Sequence, residues 1–307
     1  MEDTGYNNFS DFLKKHFDFK VQKIAINAGF TCPNRDGNKG IGGCTYCNNQ
    51  TFNPDYCQPS LSITEQLAKG KDFFARKYPT MKYLAYFQAY TNTYGDIRKI
   101  ISIYEEAISV SNIVGIIIGT RPDCMPDELL KYLSNLAKRI FVLVEYGVET
   151  SNDTTLKIIN RGHSWTDSVD TINRTAKMGV MCGAHIILGL PGETKTDILA
   201  TAHAMSQLPI ETIKLHQLQL IRGTHLARQV AEGELKIIEW SVDDYIEMCI
   251  EFIEHLSVAI SIERFVSQSP ESLLISPRWG LKNYEFTNLL HNRIKKRNIR
   301  QGTKKLF

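Results

Sequence analysis

The chain has 307 residues, 43% of them hydrophobic and 22% charged, with a formal net charge of +3. That composition is ordinary for a soluble globular protein of one large domain or two small ones, with enough apolar content for a sizeable core without staples. A charge of +3 is too small by itself to require a polyanionic partner.

The opening "MEDTGYNNFSDFLKKHF" carries no basic region followed by an apolar run, and no window reaches the roughly 18 apolar residues of a membrane helix. A cytoplasmic location with no membrane contact is therefore expected, and thiols there stay reduced. The odd count of seven cysteines agrees. Residues 1–22 read as a helical lead-in.

The first strand is expected at "KIAIN" (23–27), followed by a loop, "AGFTCPNRDGNKGIGGCTYCNNQTF" (28–52), rich in Gly, Asn and Asp. Next comes "SITEQLAKGKDFFARKY" (62–78), a helix whose Ser62 and Glu65 form a capping-box signature. Five more apolar runs follow: "YLAYFQAY" (83–90), "VGIIIGT" (114–120), "FVLVEYGVET" (141–150), "MCGAHIILGL" (181–190) and "IKLHQLQLI" (213–221). Runs apolar on nearly every residue suit strands buried on both faces, as in a parallel sheet. The segments between them place apolar residues three and four apart, with Pro126 suited to a first helical turn and Gly179 to a helix end. Polar residues gather just after the strands, in "AYTNTYGD", "GTRPD", "GVETSND" and "GLPGET". In parallel α/β folds that edge binds ligands.

Six βα units leave an open doubly wound sheet or a (β/α) barrel, and no G-x-G-x-x-G follows the first strand. The expectation is an α/β fold, a partial (β/α)6 TIM barrel over 23–224. Residues 225–307 break the rhythm and read as a C-terminal α/β extension with a basic tail.

Cys32, Cys44 and Cys47 lie in the first loop, where packing has little use for thiols. Ordinary buried thiols are disfavoured by the turn-forming residues around them. A structural zinc site is open, because Cys44 and Cys47 form a C-x-x-C and Cys57 could be a fourth ligand. An iron–sulfur cluster on three thiolates is open too, and it would leave one iron free at the barrel mouth. Cys57, Cys182 and Cys249 are scattered, so no second cluster is expected. Cys124 reads as a buried thiol near the mouth.

Four stretches taken together, "AGFTCPNRDG…GGCTYC", "TRPDCMPDELL", "GVET…INRGH" and "HIILGLPGET", resemble the radical SAM superfamily. Within it they look like the Elongator-catalytic-subunit-like branch and its bacterial YhcC/YtqA-type members, with the likeness running from about residue 5 to 285. The C-x11-C-x2-C spacing differs from the commonest C-x3-C-x2-C and reads as a mark of the subgroup.

The resemblance implies an enzyme. A [4Fe–4S] cluster on Cys32, Cys44 and Cys47 would bind S-adenosylmethionine (SAM) at its open iron, and an electron from a donor such as flavodoxin or ferredoxin would split the sulfonium. The resulting 5′-deoxyadenosyl radical would take hydrogen from a substrate. It further implies Tyr46, inside the C-x-x-C, as a contact to SAM, and Thr91 and Asn92 near the SAM amino group. Glu149 is placed on the ribose hydroxyls and Arg161 on the carboxylate. Ile187, Gly189 and Leu215 are placed around the adenine. The bland readings are that Glu149 caps the helix starting near Asn152 and that Arg161 makes a surface ion pair. His185 and His216 are expected to point inward.

The tail "HNRIKKRNIRQGTKKLF" has seven Lys or Arg and no acid. Such a segment could hold phosphates, and the related Elongator-type enzymes act on tRNA. RNA is thus one substrate class, and a small metabolite or peptide is the other. From a different functional class, a zinc-stabilised nucleic-acid-binding protein on a degenerate barrel is also open.

Overall fold

The computed structural model describes residues 4–48, 51, 54, 56–75 and 80–304. Phe52 and the end of the helix expected to reach residue 78 lie outside them. In chain order the strands are β1 (Val21–Ile26), β2 (Lys82–Phe87), β3 (Ile113–Thr120), β4 (Phe141–Glu149), β5 (Met181–Leu188), β6 (Thr212–Gln217), β7 (Leu220–Ile221), β8 (Ser261–Arg264) and β9 (Leu274–Ser276). The main sheet has seven strands in the order β1-β2-β3-β4-β5-β6-β8, all parallel.

The sheet curls into a partial barrel. Its two edges are β1 and β8, yet Lys23 Nζ on one lies 2.5 Å from Glu263 Oε2 on the other. Only a curved sheet brings side chains from opposite edges into contact.

The six expected strands are all present, with two differences. "IKLHQLQLI" is not one strand: it ends as β6 at Gln217, and β7 leaves to pair antiparallel with β9. A seventh barrel strand, β8, comes from "VAISIERFV", an apolar run that the sequence assigns to the C-terminal extension and not to the barrel. It is short and carries Glu263 and Arg264, charges an ordinary buried strand would not bear.

Helices cover the outer face. The βα units supply α2 (Ile63–Ala75), α3 (Ile97–Ser109), α4 (Asp127–Ala137), α6 (Trp165–Lys177) and α7 (Lys195–Ser206), whose apolar stripes pack on the sheet in one continuous core. Their boundaries follow local chemistry. Ser62 and Glu65 form the expected reciprocal bonds before α2, Pro126 is the residue entering α4, and Gly179 takes a left-handed φ of 75° after α6.

The lumen is layered. At its base, α1 (Phe9–His16) packs Phe12 against Phe141 with Leu84, Tyr86, Ile117 and Leu143. Above this plug, Lys23, Lys214, Glu145 and Glu263 form a closed network. Lys23 lies 3.1 Å from Glu145, and Lys214 contacts Glu145 and, at 3.3 Å, Glu263. His185 Nε2 is 3.0 Å from the same Glu145 carboxylate. Burial opposes charge on Glu145, but Lys214, Lys23 and His185 together hold it well below the usual carboxylate range.

Three of the tail's cations make ion pairs at the surface, whereas Lys295 and Lys296 stand exposed. Arg293 and Arg297 on α10 (Asn283–Arg297) pair with Asp243 and Glu247 on α9 (Val242–His255), and Lys304 pairs with Glu254. Trp279 stacks on Phe286 at 5.8 Å and lies 5.2 Å from Tyr245. This segment of aromatics and cations anchors the C-terminal residues to the barrel.

Glu145 carries two lysines, so removing its carboxylate strands buried cations. Glu145→Ala should lower the unfolding free energy by about 3–5 kcal/mol in urea denaturation. A loss below about 1 kcal/mol would mean that the lumen network is solvated.

Candidate active site at the barrel mouth

The carboxyl edge of the sheet carries a cavity of about 190 Å³. Cys32, Cys44 and Cys47 line it, from the loop that follows β1, and all three are free thiols. The loop is built by its own backbone. Arg35 N donates to Cys32 O at 2.8 Å, Gly43 N to Asn34 O at 2.8 Å, and Cys47 N to Cys44 O at 3.0 Å. Gly43 adopts φ 84°, and a Cβ there would stand 2.9 Å from the Arg35 side chain.

The loop is clamped to the segment after β4. Asn34 Nδ2 donates to Asn160 O at 2.6 Å, and Asn160 Nδ2 donates back to Gly43 O at 2.9 Å. Thr45 N donates to Ile159 O at 2.9 Å. Thr91 N, in the loop after β2, donates to Thr31 O at 3.2 Å. Neither Asn34 nor Asn160 stood out in the sequence, because an asparagine in a loop has many local uses.

Arg161 is buried rather than a surface ion pair. Its Nη1 lies 3.5 Å from Cys44 Sγ, its Nη2 donates to Gly147 O, and Nη2 is 3.3 Å from Glu149 Oε1. Its Nε has no hydrogen-bond partner among the described residues. Burial opposes its charge, but Tyr46, Cys44 and Glu149 outweigh that and push its value well up. Cys44 Sγ is approached also by Asn34 Nδ2 at 3.7 Å. Burial, and then the neighbouring Cys44, push the Cys47 thiol up to about 11.

Glu149 ends β4 in the left-handed region at φ 71°, where the register with β5 slips between Gly147 and Glu149. A bulge at a strand end re-aims a side chain, and a non-glycine residue at that φ is strained. The carboxylate faces the cavity. It is not the cap of α5 (Asp153–Ile158): Asn152 fills that position, its side chain accepting from Thr154 N and Thr155 N.

Of the other expected residues, Tyr46, Thr91 and Ile187 line the cavity. Three do not. Asn92 sits behind it, donating to Phe87 O and Gly119 O to join the loop to β3. Leu215 packs among the helices, because the pleat turns Lys214 and His216, not Leu215, toward the lumen. Gly189 has φ 89°, and the close approach its missing side chain permits is to Trp240, 2.4 Å from where a Cβ would lie. His185 and His216 do face inward and line the cavity. Cys124 is buried outside it, and so is Cys57.

Among the described residues, no three His, Cys, Asp or Glu side chains converge closely enough for a single metal ion. Three thiols spread around one cavity instead suit a cluster, whose irons are ligated separately. The N–H donors aimed at Cys44 Sγ would suit it as a thiolate ligand, which needs such a second layer.

A model of the radical SAM superfamily matches residues 27–205, and one of the radical SAM C-terminal domain matches 210–296. The chain belongs to the radical SAM superfamily. It is 33% identical over 297 residues to protein YtqA of Bacillus subtilis, covering 97% of this chain and 92% of that protein. With protein YhcC of Escherichia coli it is 37% identical over 274 residues, covering 89% and 87%. A tRNA uridine(34) acetyltransferase of Methanocaldococcus infernus is 24% identical over 191 residues, 61% of this chain and 34% of that enzyme. In fold, it is similar to Elp3 of Methanocaldococcus infernus, with a TM-score of 0.71 at 17% identity over 92% of this chain, and it spans 64% of that Elp3 chain. The radical SAM cofactors, a [4Fe–4S] cluster and SAM, are thus those of this chain, and the donor set around the cavity fits them.

Behind Glu149, Thr150 Oγ1 donates to Glu193 in the "GLPGET" turn. Burial pushes the Glu193 carboxyl up to about 7. A carboxyl raised above its unfolded value of 4.5 binds more protons in the fold, so its contribution is lost as pH rises through 7. Relative to the native chain, Glu193→Gln should gain about 2 kcal/mol of stability between pH 5.5 and pH 8. Denaturant titrations at the two pH values check this, and a difference that does not change with pH would contradict it.

Proposed function

We propose that this chain uses Cys32, Cys44 and Cys47 to hold the cluster and the adjoining cavity wall to hold SAM for hydrogen abstraction from a substrate in the lumen. When bound, the reduced cluster and SAM supply a 5′-deoxyadenosyl radical. The observation that carries the reading is the convergence of three free thiols, Arg161 and Glu149 on one cavity.

Each residue has a task within this proposal. The Arg161 guanidinium fits a carboxylate, and its unpartnered Nε is a donor still to be used. Glu149 accepts from ribose hydroxyls, its strained backbone aiming the carboxylate inward. Thr91 lies where the SAM amino group would be met, and Tyr46 borders the cluster. Ile187, with Leu156, Ile159 and Leu218 around it, gives an apolar face for adenine and keeps water out. An electron donor such as flavodoxin or ferredoxin delivers the reducing electron, which suits a cytoplasmic setting.

For the substrate, similarity to a tRNA uridine(34) acetyltransferase supports a tRNA nucleotide. The basic tail adds exposed Lys295 and Lys296 to that, while Arg293, Arg297 and Lys304 are shared with surface ion pairs. A small molecule is favoured by a different observation: the cavity runs down between buried polar side chains of β4, β5, β6 and β8.

The test is 5′-deoxyadenosine formation by anaerobically reconstituted, dithionite-reduced protein given SAM, with and without bulk tRNA. Native protein and Cys57→Ala should both carry iron and form product, and Cys44→Ala should lose at least about 100-fold. Zinc in place of iron, no product, and loss of metal in Cys57→Ala would establish the zinc-stabilised binding protein instead.

A further inference from the structure

The lumen side of β8 carries a charge that the ion network does not use. Lys23 and Lys214 are balanced by Glu145 and Glu263, two cations against two carboxylates. Arg264 is the next residue, and among the described residues no carboxylate pairs with it. In a regular strand, Glu263 and Arg264 would point to opposite faces. Here the register between β6 and β8 slips at Ile213 and Lys214, and both side chains reach the lumen.

Arg264 is held without spending its donors. Its Nη2 lies 3.3 Å from Nδ1 and 3.4 Å from Nε2 of His216. An atom equidistant from both ring nitrogens follows the lone pair of neither, so this is contact with the ring and not a directed hydrogen bond. Nδ1 of that ring is already engaged by Ser267 Oγ. Arg264 Nε is buried and has no hydrogen-bond partner among the described residues. Burial first, and then Arg264, His185 and Lys214, keep His216 well below its usual range, so the imidazole is neutral and adds no competing charge.

The surrounding chain fixes this corner. Gln217 at the end of β6 clamps Ser267 from both sides, accepting from Ser267 N at 2.8 Å and donating to Ser267 O at 2.9 Å. Arg264, His216 and Ser267 all line the same cavity as the three cysteines. A half-buried guanidinium whose Nε is idle, fixed in place and facing a reaction chamber, is a receptor for an oxyanion.

We infer that Arg264, backed by His216 and Ser267, is the anchor for an anionic group of the substrate, a carboxylate or a phosphate, at the β6/β8 side of the lumen. The inference rests on the reading of the cavity as the reaction chamber. It assigns the substrate a negatively charged end, distinct from the SAM carboxylate that Arg161 serves. Arg264 thereby sets how deep the substrate enters and which of its carbons is presented.

The experiment is a thermal-shift titration of the reconstituted, SAM-saturated holoprotein with inorganic phosphate and, separately, with succinate, against sodium chloride at matched ionic strength. The native protein should show saturable stabilisation by one of the two, which identifies the anion as phosphate or carboxylate. Arg264→Gln should weaken that response about tenfold or more. Arg264→Lys keeps the charge without the planar fork, so it should be weakened as well, and it decides the matter if the glutamine variant does not fold. Lys295→Gln, an exposed cation on α10, should respond like the native protein. No response beyond sodium chloride, or native affinity in both Arg264 variants, overturns the inference. SAM titration of the same preparation separates the two readings. SAM bound with no anion response removes the anchor alone, whereas an anion response without SAM binding removes the proposed SAM site and leaves the anchor.

Discussion

Burying the Arg161 guanidinium demands acceptors and counter-charge, and the groups that meet the demand come from separate parts of the chain. Cys44 Sγ belongs to the loop after β1, whereas Gly147 O and Glu149 belong to the end of β4. Satisfying one buried cation therefore fixes the cysteine loop against the strand end that carries the carboxylate. The Asn34–Asn160 exchange reinforces the same junction. A loop of glycines and asparagines would otherwise have little reason to hold three thiols at the mouth of a cavity.

Below that junction, the lumen descends from reactive to inert. The apolar plug beneath α1 closes the base, and the Lys23–Glu145–Lys214–Glu263 network forms a floor in which each charge has partners. A saturated floor leaves little that could bind a ligand, so the unspent groups above it mark where ligands go. Arg161 Nε and Arg264 Nε are both among them, on two different walls. One cavity with two idle guanidinium donors is equipped for two anionic groups, and SAM brings only one carboxylate.

The barrel and its ligand edge were legible in the sequence because buried parallel strands leave long apolar runs with polar residues after them. Cys32, Cys44, Cys47, Glu149 and Arg161 could be picked out because each ends or follows such a run within a recognisable motif. The phase of the pleat was not legible: within "IKLHQ", apolar content alone does not say that Lys214 and His216 face the lumen while Leu215 faces helices. Nor was β8 legible. Its charges are tolerated only because they meet Lys23 and Lys214 across the barrel, a contact that exists once the sheet has curled. The pairing of the tail was not legible for a similar reason, since a run of cations does not reveal that α9 supplies acids to receive Arg293 and Arg297.

The central claim is that three thiols hold a cluster with one open iron, beside which this chain binds SAM. Electron paramagnetic resonance of the anaerobically reconstituted, dithionite-reduced protein, recorded before and after adding SAM, tests it most directly. The account predicts a reduced-cluster signal that changes shape when SAM is added. A reduced-cluster signal that SAM leaves unaltered, or no cluster signal in protein that has bound zinc, would contradict it.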